Sequence, residues 1–212
     1  DGTAPSSSVT YPTNNTKYQS LSIISGLGSD VGSGVSLVQI LIKMTDNTTY
    51  WNGTTWDAAQ TWLTTSFSSG QWNYNSSSVS WVSNKWYLVQ SRARDNVTPT
   101  PNQETPGAGN SFAIDSTPPV TTIVLPVNNA TYSSLPNITG NSDDPVAGVS
   151  SVKIAIRNTT DTQYWDGSLW QAGDIDSWVN ATGTVNWTYS SPPWTGNKTY
   201  IVKSYAIDAA NN

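Results

Sequence analysis

The heptapeptide YWNGTTW at Tyr50–Trp56 returns as YWDGSLW at Tyr164–Trp170, an offset of 114 residues. At that offset Asp1-x-Thr-x-Pro5 matches Asp115-x-Thr-x-Pro119, Pro12-x-Asn-Asn15-x-x-Tyr18 matches Pro126-x-Asn-Asn129-x-x-Tyr132, and Gly26 matches Gly140. GVSLVQILIK from Gly34 matches GVSSVKIAIR from Gly148. After small length differences Trp62, Trp72 and Trp81 meet Trp178, Trp187 and Trp194, and NKWYLVQSRARD from Asn84 meets NKTYIVKSYAID from Asn197. Length alone leaves one or two domains open. A repeat this long decides for a tandem duplication, with domains at 1-114 and 115-212.

Each copy reads as all-β. Val38, Ile40 and Ile42, and in the second copy Val152, Ile154 and Ile156, alternate with other residues as a strand with one buried face requires. The last long strand repeats the pattern with Tyr87, Val89, Ser91 and Ala93, and with Tyr200, Val202, Ser204 and Ala206. Eleven Trp and ten Tyr against two Phe supply the core volume. Short strands, Pro and Gly punctuation and a unit of about 100 residues describe a β-sandwich. The stretch from Asn96 to Phe112 lacks alternation and reads as a long loop before the closing strand of the first copy. The second copy stops before its own equivalent of that strand. This predicts an exposed edge, filled by further chain or by a strand from a neighbouring subunit.

The order DxTxP, GVxxV, YW(N/D)GxxW and NKxYxVxSxAxD, seen twice, resembles the Ig-like repeats of large bacterial and archaeal surface proteins. The resemblance implies an all-β chain of two tandem immunoglobulin-like β-sandwich domains. It also implies a non-enzymatic spacer or adhesive module in a stalk, fibre or adhesin shaft, with neighbouring repeats or subunits of the same protein as partners. The chain has no Cys, so the disulfide of antibody domains does not carry over, and antibody-type recognition is not implied.

Asn52-Gly53 and Asp166-Gly167 are signals for two-residue type I′ turns. Such a turn would set Trp51 opposite Thr54 and Tyr50 opposite Thr55, with Trp51 and Trp56 diagonal neighbours on one face. Two readings compete. The pairs Trp51 with Trp56 and Trp165 with Trp170 could pack inside the fold, or they could form a platform for surface glycans, as in a carbohydrate-binding module. Exposure and coplanarity of the rings separate the two.

Composition removes several other functions. Net charge is -5 and the nine Lys and Arg form no run, so nucleic acid is not an expected partner. No stretch of 18 apolar residues calls for membrane insertion, and DGTAPSSS is not a signal peptide, so the chain is expected to be soluble and cut from a longer precursor. Without His or Cys there is no Ser-His-Asp or Cys-His nucleophile and no usual zinc ligand. Asp174 and Asp176 have no paired match in the first copy, and an acid–base pair for glycoside hydrolysis is not expected of them. Asn-x-Ser/Thr sequons stand at Asn14, Asn47, Asn52, Asn75, Asn96, Asn129, Asn137, Asn158, Asn180, Asn186 and Asn197. Richness in Ser, Thr and Asn produces some of these, and glycosylation is the competing explanation. Both suit an extracellular or cell-surface location.

The acidic residues make a further pattern. In the implied topology the start of the first strand, the loop after the second and the loop after the sixth share one pole. Asp1, Asp30 and Asp95 occupy those places in the first copy, and Asp115, Asp143 with Asp144, and Asp208 occupy them in the second. Converging carboxylates repel, and Ca2+, which takes six to eight oxygens, is the expected cation. At the second pole it would stiffen the domain junction. The alternative is that each Asp caps a turn singly in water.

Overall fold

The computed structural model describes all residues 1–212 and contains no helix. Two compact units are present, Asp1–Ser116 and Thr117–Asn212.

The first unit runs β1 (Ser6–Tyr11), β2 (Thr16–Tyr18), β3 (Ile23–Ser29), β4 (Val35–Met44), β5 (Thr49–Trp51) and β6 (Trp56–Asp57). It continues through β7 (Leu63–Thr64), β8 (Ser66–Ser68), β9 (Gln71–Asn75), β10 (Lys85–Asp95) and β11 (Asn110–Ile114). One sheet has the order β1-β3-β9-β8. The other has the order β2-β11-β10-β4-β5-β6, with β7 also on β4. The chain's first strand is thus divided: β1 joins one sheet antiparallel to β3, and β2 crosses to the other and pairs parallel with β11. Four-stranded and extended sheets with this connectivity define an immunoglobulin-like sandwich.

The predicted alternation becomes the core. Val38, Ile40 and Ile42 on β4 and Tyr87, Val89 and Ala93 on β10 have no solvent exposure, because β4 and β10 pair with Tyr87 opposite Met44 and Val89 opposite Ile42. Trp72 on β9 fills the space between the sheets. Its cross-strand partner is Gly26 on β3, and the indole lies over that glycine. A Cβ at Gly26 would run into the Trp72 ring and the Ser8 carbonyl. Gly140 stands in the same relation to Trp187 and the Thr122 carbonyl, so each copy admits its large ring where the opposing residue has no side chain.

The second unit runs β12 (Val120–Leu125), β13 (Asn137–Asp143), β14 (Val149–Asn158), β15 (Gln163–Trp165), β16 (Trp170–Ala172), β17 (Val179–Asn180), β18 (Asn186–Ser190) and β19 (Tyr200–Asp208). Its sheets are β12-β13-β18 and β19-β14-β15-β16, with β17 also on β14. It has no strand equivalent to β2 or β11, and β19 pairs only with β14.

Two local expectations are corrected. The aromatic hairpin closes with Trp51 directly opposite Trp56, and Trp165 directly opposite Trp170, around four-residue loops and not two-residue turns. Asn52 Oδ1 accepts the Thr54 and Thr55 amides, and Asp166 Oδ1 accepts those of Ser168 and Leu169. This side-chain capping holds the loop open by two residues, and of the Asx-Gly pair only Gly53 and Gly167 take positive φ. The closing strand of the first unit also begins at Asn110, inside the stretch read as loop, because Asn110 and Ser111 bond to β10 as part of the same ladder.

Substituting Gly26 or Gly140 with Ala is expected to lower unfolding free energy by about 1–3 kcal/mol or more, through overpacking against the indole and against the Ser8 or Thr122 carbonyl. Urea denaturation of each variant measures this.

Candidate functional site

Asp1 precedes β1, Asp30 follows β3, and Asp95 is the last residue of β10. The fold brings these three strand ends together, and carboxylate oxygens of Asp1, Asp30 and Asp95 all lie within 4.8 Å of one another. In the second unit carboxylate oxygens of Asp144 and Asp208 also lie within 4.8 Å of each other. Asp143 is excluded. It is the exposed last residue of β13, and the alternation of the strand sends its side chain outward while Asp144 turns in.

Backbone amides orient the carboxylates in a mirrored way. Gly34 N–H donates to Asp30 Oδ2 at 2.7 Å, and Gly148 N–H donates to Asp144 Oδ1 at 2.9 Å. Val97 N–H donates to Asp95 Oδ1 at 3.1 Å, as Ala210 N–H does to Asp208 Oδ1 at 2.8 Å. Asn102 Nδ2 donates to Asp95 Oδ2 at 2.7 Å, and Asn212 Nδ2 to Asp208 Oδ2 at 2.9 Å. Ser33 N–H donates to Asp1 Oδ2 at 2.8 Å, which ties the chain start to the loop after β3.

Asp95 is fully buried. Burial pushes its carboxyl pKa up, but the Asn102 side chain, the Val97 and Asn102 amides and Ser33 outweigh burial and hold it below the ordinary carboxylate value. It is therefore an anion inside the protein. No Lys or Arg pairs with Asp1, Asp30 or Asp95, and Asp30 Oδ1 is enclosed without any hydrogen-bond partner. An all-oxygen set with an orphaned carboxylate oxygen fits a hard cation of the Ca2+ type, whose positive charge would offset the mutual repulsion. Asp115 lies where the chain leaves β11, its amide bonded to Tyr18 O at 2.9 Å.

The aromatic pairs are placed elsewhere. Trp51 is 1% exposed and Trp165 is 7% exposed. Trp51 and Trp56 meet edge to face at 61°, as do Trp165 and Trp170, so the flat exposed platform weighed for Trp51, Trp56, Trp165 and Trp170 is not formed. Trp56 donates its indole N–H to Ser80 O, and Trp170 donates to Pro193 O. The reason is the loop register: direct pairing of the two tryptophans turns both toward the Tyr87 or Tyr200 side of the sheet.

Asp174 and Asp176 form ion pairs with Arg157, and Asp176 also with Lys203. Among the sequons, Asn158 is 3% exposed with its amide donated to Asp161, so no glycan fits there, and Asn52 is half-buried as the loop cap. The other nine, Asn14, Asn47, Asn75, Asn96, Asn129, Asn137, Asn180, Asn186 and Asn197, are exposed. No helix is long and apolar enough to cross a membrane.

No family model and no curated protein matches the chain. Among solved structures, it is similar to fibronectin(III)-like modules of Clostridium thermocellum CbhA, at 13% identity and a TM-score of 0.38 over 97% of this chain and 88% of that one. A second similar structure is Dpr11 IG1 bound to DIP-gamma IG+IG2, at 12% identity and a TM-score of 0.26 over 96% of this chain and 98% of that one.

The buried Asp95 anion has a pH signature. Because its folded pKa is depressed, its contribution to stability is complete above the unfolded value of about 3.9 and disappears as pH falls through the folded value. In chelator, Asp95→Asn should show a shallower loss of urea midpoint below about pH 4 than the parent chain. Equal slopes would remove Asp95 from the account.

Proposed function

We propose that this chain is a non-enzymatic structural segment of an extracellular surface protein, a piece of a stalk, fibre or adhesin shaft built from repeated sandwiches. The observation that carries the reading is the parallel pairing of β2 with β11, in which Thr16, Lys17 and Tyr18 register with Phe112, Ala113 and Ile114. β2 lies near the start of the first unit and β11 at its end. A pull on the two ends drags these strands past each other, so the rungs must give way together. Antiparallel neighbours pulled the same way would open one rung at a time.

The matched features of the two copies also support a structural role. They are core residues and pole carboxylates, namely the Trp-over-Gly contact, the aromatic hairpin and the acidic sets. A low-charge surface with many exposed Asn, Ser and Thr residues suits a protein held outside a cell.

In this reading the set of Asp1, Asp30 and Asp95 takes one Ca2+ ion. The ion supplies positive charge to the three carboxylates, and Asp30, fixed by the Gly34 amide, positions the end of β3. The partners are further repeats or subunits of the same kind.

Stretching the chain between its ends should give two unfolding events, each releasing about 100 residues or roughly 35 nm. The unit with the β2–β11 pair should yield at the higher force. Peeling of both units at equally low force would sink the shaft reading. Separately, Ca2+ at about 100 times its dissociation constant should stabilise the protein by about 2.7 kcal/mol relative to EDTA, with no effect of Na+ at matched ionic strength. Asp30→Ala should remove this stabilisation. A melting curve indifferent to EDTA would take the metal out.

A further inference from the structure

The first unit has five basic residues, and four of them, Lys17, Lys43, Arg92 and Arg94, stand on the outer face of the sheet β2-β11-β10-β4-β5-β6. Strand alternation puts them there. On β10 the side chains of Tyr87, Val89, Ser91, Ala93 and Asp95 are buried, and those between them face out. Lys43 is the cross-strand partner of Leu88, and Lys17 shares a row with Ala113 and Trp86. From Trp86 to Arg94 the outward side chains of β10 extend over about 27 Å, at about 3.4 Å per residue. Two rings lie among the cations. The Arg92 guanidinium sits 4.2 Å from the centre of the Trp62 ring, and Lys17 Nζ sits 6.0 Å from that of Trp86.

None of these four cations forms an ion pair; in this unit only Lys85 does, with Asp46. The carboxylate of Asp57 on β6 is two strands from Lys43, with Tyr50 between them, and its Oδ1 is taken by the Ala59 amide at 3.0 Å. Asp95 is buried, and Glu104 is held by the Ser7 hydroxyl and the Ala93 amide. Burial, and then the charge of Arg94 beside it, hold the Arg92 guanidinium below its ordinary pKa. Arg92 remains a cation, with a like charge for a neighbour.

The second unit is the control. Its Arg157 holds the place of Lys43 in the repeat and pairs with Asp174 and Asp176, and Lys203 pairs with Asp176. Those acids lie between β16 and Trp178, where the first unit has Ala58-Ala59-Gln60-Thr61. Tyr205 stands in the place of Arg92 and packs on Trp178 at 4.6 Å. One copy answers the charge at this place with its own acids. The other leaves it open, on a chain whose net charge is -5.

We propose that the outer face of β4 and β10 in the first unit binds an acidic polysaccharide of the polyuronate type. Sugar carboxylates meet Lys43, Arg92 and Arg94, and the face of a sugar ring lies on Trp62. β10 is bonded to both β11 and β4, and β4 to β10, β5 and β7, so an incoming peptide finds no free edge to pair with. A sugar polymer needs only side-chain donors and ring faces. Its single charge per sugar suits cations set singly among rings, whereas a nucleic-acid backbone calls for a denser basic run.

The probe is polygalacturonate, added to the 212-residue chain in EDTA so that no Ca2+ bridges the two. Expected are retardation in affinity electrophoresis and a change in Trp fluorescence, both weakening as NaCl rises from about 50 to about 500 mM. Lys43→Gln combined with Arg94→Gln should weaken binding at least about tenfold, and Trp62→Ala should also weaken it. Lys203→Gln in the second unit should leave binding unchanged. The urea midpoint of each variant separates lost binding from lost fold. Absence of retardation overturns the proposal, as does equal retardation by the fully methyl-esterified polymer, which keeps the sugar backbone and loses the charge. So does unaltered binding by the folded Lys43→Gln, Arg94→Gln chain, or tighter binding of poly-aspartate or single-stranded DNA than of polygalacturonate. None of these outcomes depends on the shaft reading, which the stretching experiment tests by itself.

Discussion

The sandwich depends on an indole resting on a glycine. Trp72 and Trp187 each project from a strand of one sheet toward the interior, and each lies over a backbone position, Gly26 or Gly140, that has no Cβ to oppose it. A chain with few large aliphatic residues must fill the space between two sheets with rings, and a ring that size needs relief on the strand beside it. From that contact the alternation of β4 and β10 closes the rest of the core, and the strand ends reach the pole with fixed spacing.

That spacing is what gathers the acids. Asp1, Asp30 and Asp95 are separated along the chain but terminate or precede strands that the sandwich sets side by side, and loop amides then aim each carboxylate inward. Asp95 remains an anion in spite of burial because its hydrogen bonds favour the charged form more than desolvation disfavours it. Other amides orient Asp144 and Asp208: Gly148 N–H donates to the first and Ala210 N–H to the second.

The two copies also act as controls for each other. Their walls are alike down to the hydrogen bonds of Tyr18 and Tyr132, yet the first has β11 seated and the second does not. The consequence is graded. Along β19, Tyr200 and Val202 are half-buried where Tyr87 and Val89 are fully buried, while Ala206 and Asp208, farther along, stay buried as Ala93 and Asp95 do.

The duplication, the all-β character, the inward faces of β4 and β10 and the three acidic positions were legible in the sequence, because period-two alternation and a repeated order of residues are local or one-dimensional signals. Several features needed the tertiary structure. For Trp51 and Trp56 the sequence favoured packing and left a surface platform as the alternative, until the register of the loop capped by Asn52 turned them inward. Asp143 and Asp144 are neighbours with equal claims on the pole, and only the handing of successive side chains to opposite faces separated them. Asn158 reads as a sequon like its fellows, but its strand position buries it. Sequence determined which residues alternate and repeat. Which of them face inward, and which carboxylates meet, was decided by contacts between strands far apart in the chain.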